Sequence, residues 1–104
     1  MANILTNIQG RATVAGSTIY TVAAGETLTI VGLRAANNDT TNNHWVHVLI
    51  NGFYVVGAET PLPVGSAFEG LEGSKVIVKD GDTIVAFSDA DNVVDIHLSV
   101  LEQT

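Results

Sequence analysis

Three histidines, eleven carboxylates, one tryptophan and two tyrosines are the side chains with which this chain could bind or transform something. His44 and His47 lie three apart in a segment that reads as a strand, so they face opposite sides and cannot chelate one ion together. With His97 far along the chain, all three read as polar-face or interface histidines. Asp89-x-Asp91 and Asp95 superficially suggest calcium, but the EF-hand spacing and its closing Glu are missing, and a solvated acidic loop is the plain reading. No serine sits in Gly-x-Ser-x-Gly or Ser-x-x-Lys, and Gly65-Ser66 and Gly73-Ser74 read as turns. Glu69 and Glu72 flank Gly70 without an apolar pocket to raise a carboxyl pKa, and no Gly-Lys-Ser/Thr follows to make a phosphate loop. Trp45 and Tyr54 fall on the two strands of one predicted hairpin, where they form a cross-strand aromatic pair in the core, at an interface, or against a sugar. Nothing here assembles into catalysis, so the expectation is no enzyme, no cofactor and no metal.

The elements that must carry these residues are all strands. Lys75–Phe87 (KVIVKDGDTIVAF) sets two β-branched runs around Asp80-Gly81-Asp82, a tight-reversal signal because glycine tolerates positive φ. Gly25-Glu26-Thr27-Leu28 echoes Gly81-Asp82-Thr83-Ile84 in residue type, which points to a repeated layout. Gln9–Val14 and Ser17–Val22 read as two strands joined at Ala15-Gly16. In Glu26–Ala36, Thr29, Val31, Leu33 and Ala35 form the better core face, leaving Arg34 outward. Asn37–Asn43 is a polar loop. His44–Ile50 and Phe53–Val56 flank Asn51-Gly52, the preferred type I′ turn. Pro61-Leu62-Pro63 demands an edge segment or a crossover. Ser66–Phe68 reads as a short strand and Gly70–Ser74 as a turn. The closing strand, Val93–Glu102, turns Val94, Ile96, Leu98 and Val100 to the core. No window carries a capped 3.6-residue apolar period, so essentially no helix is expected.

About eight short strands with a long proline-containing connection describe an all-β, single-domain antiparallel β-sandwich of jelly-roll type. The domain is predicted over residues 10–104. Residues 1–9 are an N-terminal arm or an edge strand, because Ile4, Leu5 and Ile8 fit neither apolar period well.

Composition narrows the partners. A chain of 104 residues can bury its own core, and the absence of cysteine rules out disulfides and thiolate chemistry. Four Lys+Arg against eleven Asp+Glu, a net charge of −7, argue against binding nucleic acid or an anionic membrane. The N-terminus has no basic or continuous apolar region of a secretory signal, and no run approaches a membrane span. Only 14% of residues are charged, against 46% hydrophobic, which fits a surface partly covered by a partner.

Tyr20–Thr27 (YTVAAGET), Leu33–Asn37 (LRAAN), Pro61–Ser66 (PLPVGS), Lys75–Ile84 (KVIVKDGDTI) and Val94–Glu102 (VDIHLSVLE) together resemble a group of small tailed-phage virion proteins. Ala23 stands where their pattern carries proline. The resemblance spans most of the chain from Tyr20 onward. It implies a β-sandwich and a structural role on the virion, foremost as a capsid decoration (cement) protein that binds the head shell as a homo-oligomer, expected to be a trimer. Its partners would be other copies of itself and the major capsid protein or another virion subunit. It would be made in the host cytoplasm and located on the assembled particle. Alternatives are a tail, baseplate or fibre subunit, or a carbohydrate-binding β-sandwich module. The candidate contact residues are Ile4, Leu5 and Ile8 in the N-terminal segment, Asn38 and Asp39 in the polar loop, and Trp45 and Tyr54 in the hairpin. Since no ligand set for a metal exists at workable spacing, treatment with EDTA should leave the melting temperature unchanged.

Overall fold

The computed structural model of the protein describes residues 3–70 and 75–103. Among the described residues, nine strands run in chain order: β1 (Asn3–Arg11), β2 (Ser17–Thr21), β3 (Thr27–Asn37), β4 (His44–Ile50), β5 (Phe53–Leu62), β6 (Ala67–Glu69), β7 (Val76–Lys79), β8 (Thr83–Ser88) and β9 (Val94–Gln103). One sheet has the order β1-β9-β3-β6, with β7 on the same side of β3 as a second short partner; the other has the order β2-β8-β4-β5. Every strand pair is antiparallel. This order is that of a jelly roll, with β6 and β7 sharing one edge position, and there is no helix among the described residues. Of the expected turn over Gly70–Ser74, residues 71–74, with Glu72, lie outside the described residues, as do Met1, Ala2 and Thr104.

The core is a layer of aliphatic side chains between the sheets. Leu28, Ile30, Leu33, Val78, Ile96, Leu98 and Val100 come from one sheet and Val46, Val48, Val56, Leu62, Ile84 and Ala86 from the other, all at most 1% exposed. β9 alternates as expected, Val94, Ile96, Leu98 and Val100 being buried.

β3 does not keep one alternation. Leu28 and Ile30 are buried at its start and Leu33, Ala35 and Asn37 further along, while Thr29 is only half-buried and Val31 exposed. The expected face of Thr29, Val31, Leu33 and Ala35 is therefore correct only in its second half. A bulge is the cause: Ile30 stands opposite Val100 and Gly32 opposite Ser99, so Val31 is an extra residue that shifts the parity.

Two expected strand-to-strand turns are corners between sheets. The reversal at Asp80-Gly81-Asp82 exists, with Gly81 at φ 79° and the Asp82 N–H donating to the Lys79 carbonyl at 2.9 Å. Its arms do not pair, for β7 joins β3 while β8 joins β2 and β4. The turn at Ala15-Gly16 likewise carries the chain from β1 in one sheet to β2 in the other. Gly16 has φ 96°, and a Cβ there would lie 2.5 Å from the Phe87 ring. In each case the arms bury side chains from opposite layers, which a flat hairpin could not do. The β4–β5 hairpin matches expectation, with Asn51 at φ 52° and Gly52 at φ 82°. β5 extends past Val56 to Leu62, and its place at the sheet edge accommodates Pro61.

The bulge gives a sharp test. Deleting Val31 leaves Ile30 opposite Val100 and Gly32 opposite Ser99 in an unbroken ladder, so the melting temperature should fall by no more than about 5 °C. Deleting Ser99, in a strand paired without interruption to β1, turns Val100 out of the core. That variant should lose about 10 °C or more, or fail to fold, in thermal melts followed by circular dichroism.

Candidate functional site

The candidate residues fall in three places that the fold does not bring together. Ile4, Leu5 and Ile8 belong to β1, which pairs along its whole length with β9 and forms one edge of its sheet. Residues 3–9 are thus ordinary strand and not a free arm. The two-residue period explains their poor fit to a single face. Ile8 stands opposite Leu98 and packs against the core, while Ile4 points the same way but overhangs its end opposite Glu102 and is 50% exposed. Leu5 faces outward opposite Leu101 and is 71% exposed. Leu101 is opposite Thr29 and Thr29 opposite Ile77, so a weakly polar row crosses β1, β9, β3 and β7 on the outer face.

Asn38 and Asp39 lie in the loop between β3 and β4, and both side chains are engaged within the chain. Asn38 Nδ2 donates to the Asn92 carbonyl at 3.1 Å and to Asp95 Oδ1 at 3.0 Å. Asp39 Oδ2 receives His44 Nε2 at 2.8 Å, while Asp39 Oδ1 accepts the Thr41 N–H at 2.8 Å. The other ring nitrogen of His44, Nδ1, meets Asp89 Oδ1 at 2.9 Å. His44 is thus a pin between two loops, its side chain 8% exposed. The adjacent Asn37, also buried, donates to the carbonyls of Leu62 and Asn42 and accepts the Asp39 N–H.

The three aspartates that superficially suggested calcium diverge. Asp89 goes to His44, Asp91 to the Val14 N–H, and Asp95 to Arg11 and Asn38. Among the described residues, no group of three or more His, Cys, Asp or Glu is arranged to hold a metal ion.

Trp45 and Tyr54 share the outer face of the β2-β8-β4-β5 sheet, with His47 between them. Trp45 stacks on His47 at 5.0 Å, Tyr54 meets it edge-on at 5.3 Å, and Phe87 on β8 lies 5.0 Å from the same imidazole. Packing among rings pushes the His47 pKa down, because burial disfavours the imidazolium, and Glu59 opposes this weakly. Nδ1 of His47 accepts the Glu59 N–H at 3.3 Å, which puts the proton of the neutral ring on Nε2. His47 as hub and Phe87 as fourth member are missing from the sequence reading. The strand period does place His47 on the face of Trp45, but pairing of β8 beside β4 is needed to add Phe87.

Three serine hydroxyls are engaged within the chain. The hydroxyls of Ser66, Ser88 and Ser99 hydrogen-bond to the Pro63 carbonyl, the Ala90 carbonyl and the Asn7 amide oxygen, and to no histidine. A shallow trough of about 430 Å³ crosses the outer face of the five-stranded sheet above Gly32 and Ser99, where Arg34 is already paired with Glu69 at 2.7 Å. No protein-family model, curated protein or solved structure matches the chain.

The His44 pin makes stability depend on pH with a definite sign. The hydrogen bond that His44 donates to Asp39 is the main cause raising the His44 pKa above its ordinary 6.5, with Asp89 assisting against burial. A raised folded-state value means that the stabilisation is complete below about 6.5 and fades as pH climbs through that raised value. The Asp39 carboxyl is held down to about 2, chiefly by His44, so its contribution is present above the ordinary 3.8 and is lost as pH falls toward 2. His44→Gln should flatten the profile of melting temperature between pH 6 and 8.5 and lower the value at pH 6 by about 5 °C. An unchanged slope in that variant would remove the pin from the account.

Proposed function

We propose that the protein is a structural component of a tailed-phage virion, foremost a decoration protein bound to the capsid shell as a homo-oligomer. What supports this reading is the run of five turn-and-strand stretches, from Tyr20-Thr21-Val22 through Val94–Glu102, that resemble those of small virion proteins. The fold supports it physically. A cement module gains by being rigid, and here the loops at the His44 end are cross-linked by side chains (Asp39–His44–Asp89 and Asn38–Asp95). Its surface is sparing in charge, and an edge strand carries exposed Ile4 and Leu5. Those two residues are the candidate contacts that stay free to bury aliphatic surface on a neighbour, contributing up to about 1.5–3 kcal/mol for each side chain fully covered. Asn38 and Asp39 serve the loop structure instead.

Carbohydrate binding is the second reading, favoured by the outward Trp45–His47–Tyr54 cluster with Tyr54 55% exposed. It ranks second because one face of the Trp45 indole is already covered by His47, which leaves less ring surface to stack on a sugar.

Purified protein mixed with shells assembled from the major capsid protein of the same genome should co-sediment at saturable stoichiometry. Leu5→Glu should reduce that binding about tenfold while leaving the melt of the isolated protein intact. No co-sedimentation, together with selective binding on a glycan array lost in Tyr54→Ala, would replace the decoration reading by the carbohydrate one.

A further inference from the structure

The four edges of the two sheets are not alike. β2 is five residues long and its register slips between Thr18 and Tyr20. β5 is interrupted twice against β4, holds Glu59 at φ 50° and contains Pro61. The fourth position of the other sheet is split into β6 and β7, of three and four residues. Short length, bulges and proline are the devices by which sheet edges are kept from pairing with other chains. β1 has none of them. It runs nine residues in unbroken register with β9, without proline and without a charge before Arg11. Among the described residues it has no strand on its other side.

We propose that two copies of the chain pair antiparallel through this free edge, with the two-fold axis at Thr6, so that their five-stranded sheets become continuous. The backbone has the required phase. The Ala12 N–H donates to Val94 on the β9 side, so by alternation the even-numbered residues of β1 turn their amides toward β9. Asn3, Leu5, Asn7 and Gln9 then present theirs to the open edge. Pairing about Thr6 sets Leu5 against Asn7 and Asn3 against Gln9 of the second copy, which makes about eight backbone hydrogen bonds.

The even positions form the close, non-hydrogen-bonded pairs, Ile4 against Ile8 and Thr6 against Thr6. Half-exposed Ile4 thereby gains the cover it lacks in the single chain. An identical copy is the occupant because that register sets the aliphatic Ile4 and Ile8 of one copy against Ile8 and Ile4 of the other and brings no charge against a charge. Charge agrees: two bodies of net charge −7 meet most easily along a strand that carries no acid. The pairing stands on β1 alone and does not depend on the particle reading.

Light scattering after size exclusion, over a range of concentrations, should show a species of twice 10.9 kDa that dissociates on dilution. Asn7→Pro removes an edge-facing N–H that β9 does not use, so it should be monomeric at concentrations where the parent chain pairs. Thr6 is exposed, and Thr6→Lys and Thr6→Glu each place like charges against each other on the axis. Each alone should be monomeric with a folded circular dichroism spectrum, and an equimolar mixture of the two should recover the double mass. A parent chain that is only monomeric or only trimeric overturns the pairing, as does a Thr6 variant that dimerises alone. A mixture that stays monomeric also overturns it. Capsid co-sedimentation is read separately, so either proposal can fail without the other.

Discussion

The sheets are held in place by an interlock between two corners. The chain passes from one sheet to the other at Val22–Glu26 and again at Asp80–Asp82, and these two crossings hydrogen-bond to each other. The Val22 N–H donates to the Asp82 carbonyl at 2.9 Å, the Gly81 N–H to the Val22 carbonyl at 2.9 Å, and the Gly25 N–H to the Asp80 carboxylate at 2.9 Å. A chain leaving a sheet gives up its ladder partners, and a buried peptide group without a partner costs about 1–3 kcal/mol. Each corner here supplies what the other lacks. Asn51 extends the interlock to the β4–β5 hairpin by donating to Asp82 Oδ1 and accepting the Thr83 N–H. The spacing between the sheets, and so the space for Val22, Leu28, Val78 and Ile84 between them, follows from this contact.

The resemblance between Gly25-Glu26-Thr27-Leu28 and Gly81-Asp82-Thr83-Ile84 is therefore structural: both stretches launch a strand into the sheet opposite the one just left. That much could be read in the residues, as could the strand count to within one, the Asn51-Gly52 hairpin, the inward face of β9 and the edge character of Pro61. The identity of each strand's partner could not. Asp-Gly and Ala-Gly mark a reversal whether the arms pair or cross, because glycine's φ is the same in both, and only the burial of both arms in different layers decides. The bulge at Val31 was equally hidden. Valine is a good strand residue on either face, and the extra position emerges only when Ser99 and Val100 are laid against β3.

The candidate residues show the same division. Trp45 and Tyr54 could be placed on one face from the hairpin alone, but the ring joining them is His47, a residue whose type points first to titration and only then to packing. Asp39 was legible as a loop residue with a carboxylate to offer. Its actual partner, His44, sits only five positions along, where a turn brings the imidazole back between the β3–β4 loop and the Asp89 loop. Ile4 and Leu5 looked misplaced for a simple reason: near the end of an edge strand the inner and outer faces are both partly open.

The place of β9 in its sheet bears on how the protein comes into being. β9 lies between β1 and β3, whose residues are joined to one another only through it. On the ribosome, β1 and β3 emerge early and have no strand between them until Val94–Gln103 is released. The second sheet differs, for β2, β4, β5 and β8 can gather while that last segment is still enclosed. One half of the sandwich thus assembles progressively and the other closes in a single late step, the behaviour expected of a fold rich in long-range pairings. Until that step the apolar inner edge of β3 stays uncovered, and a nascent chain in this state is the form most exposed to premature association.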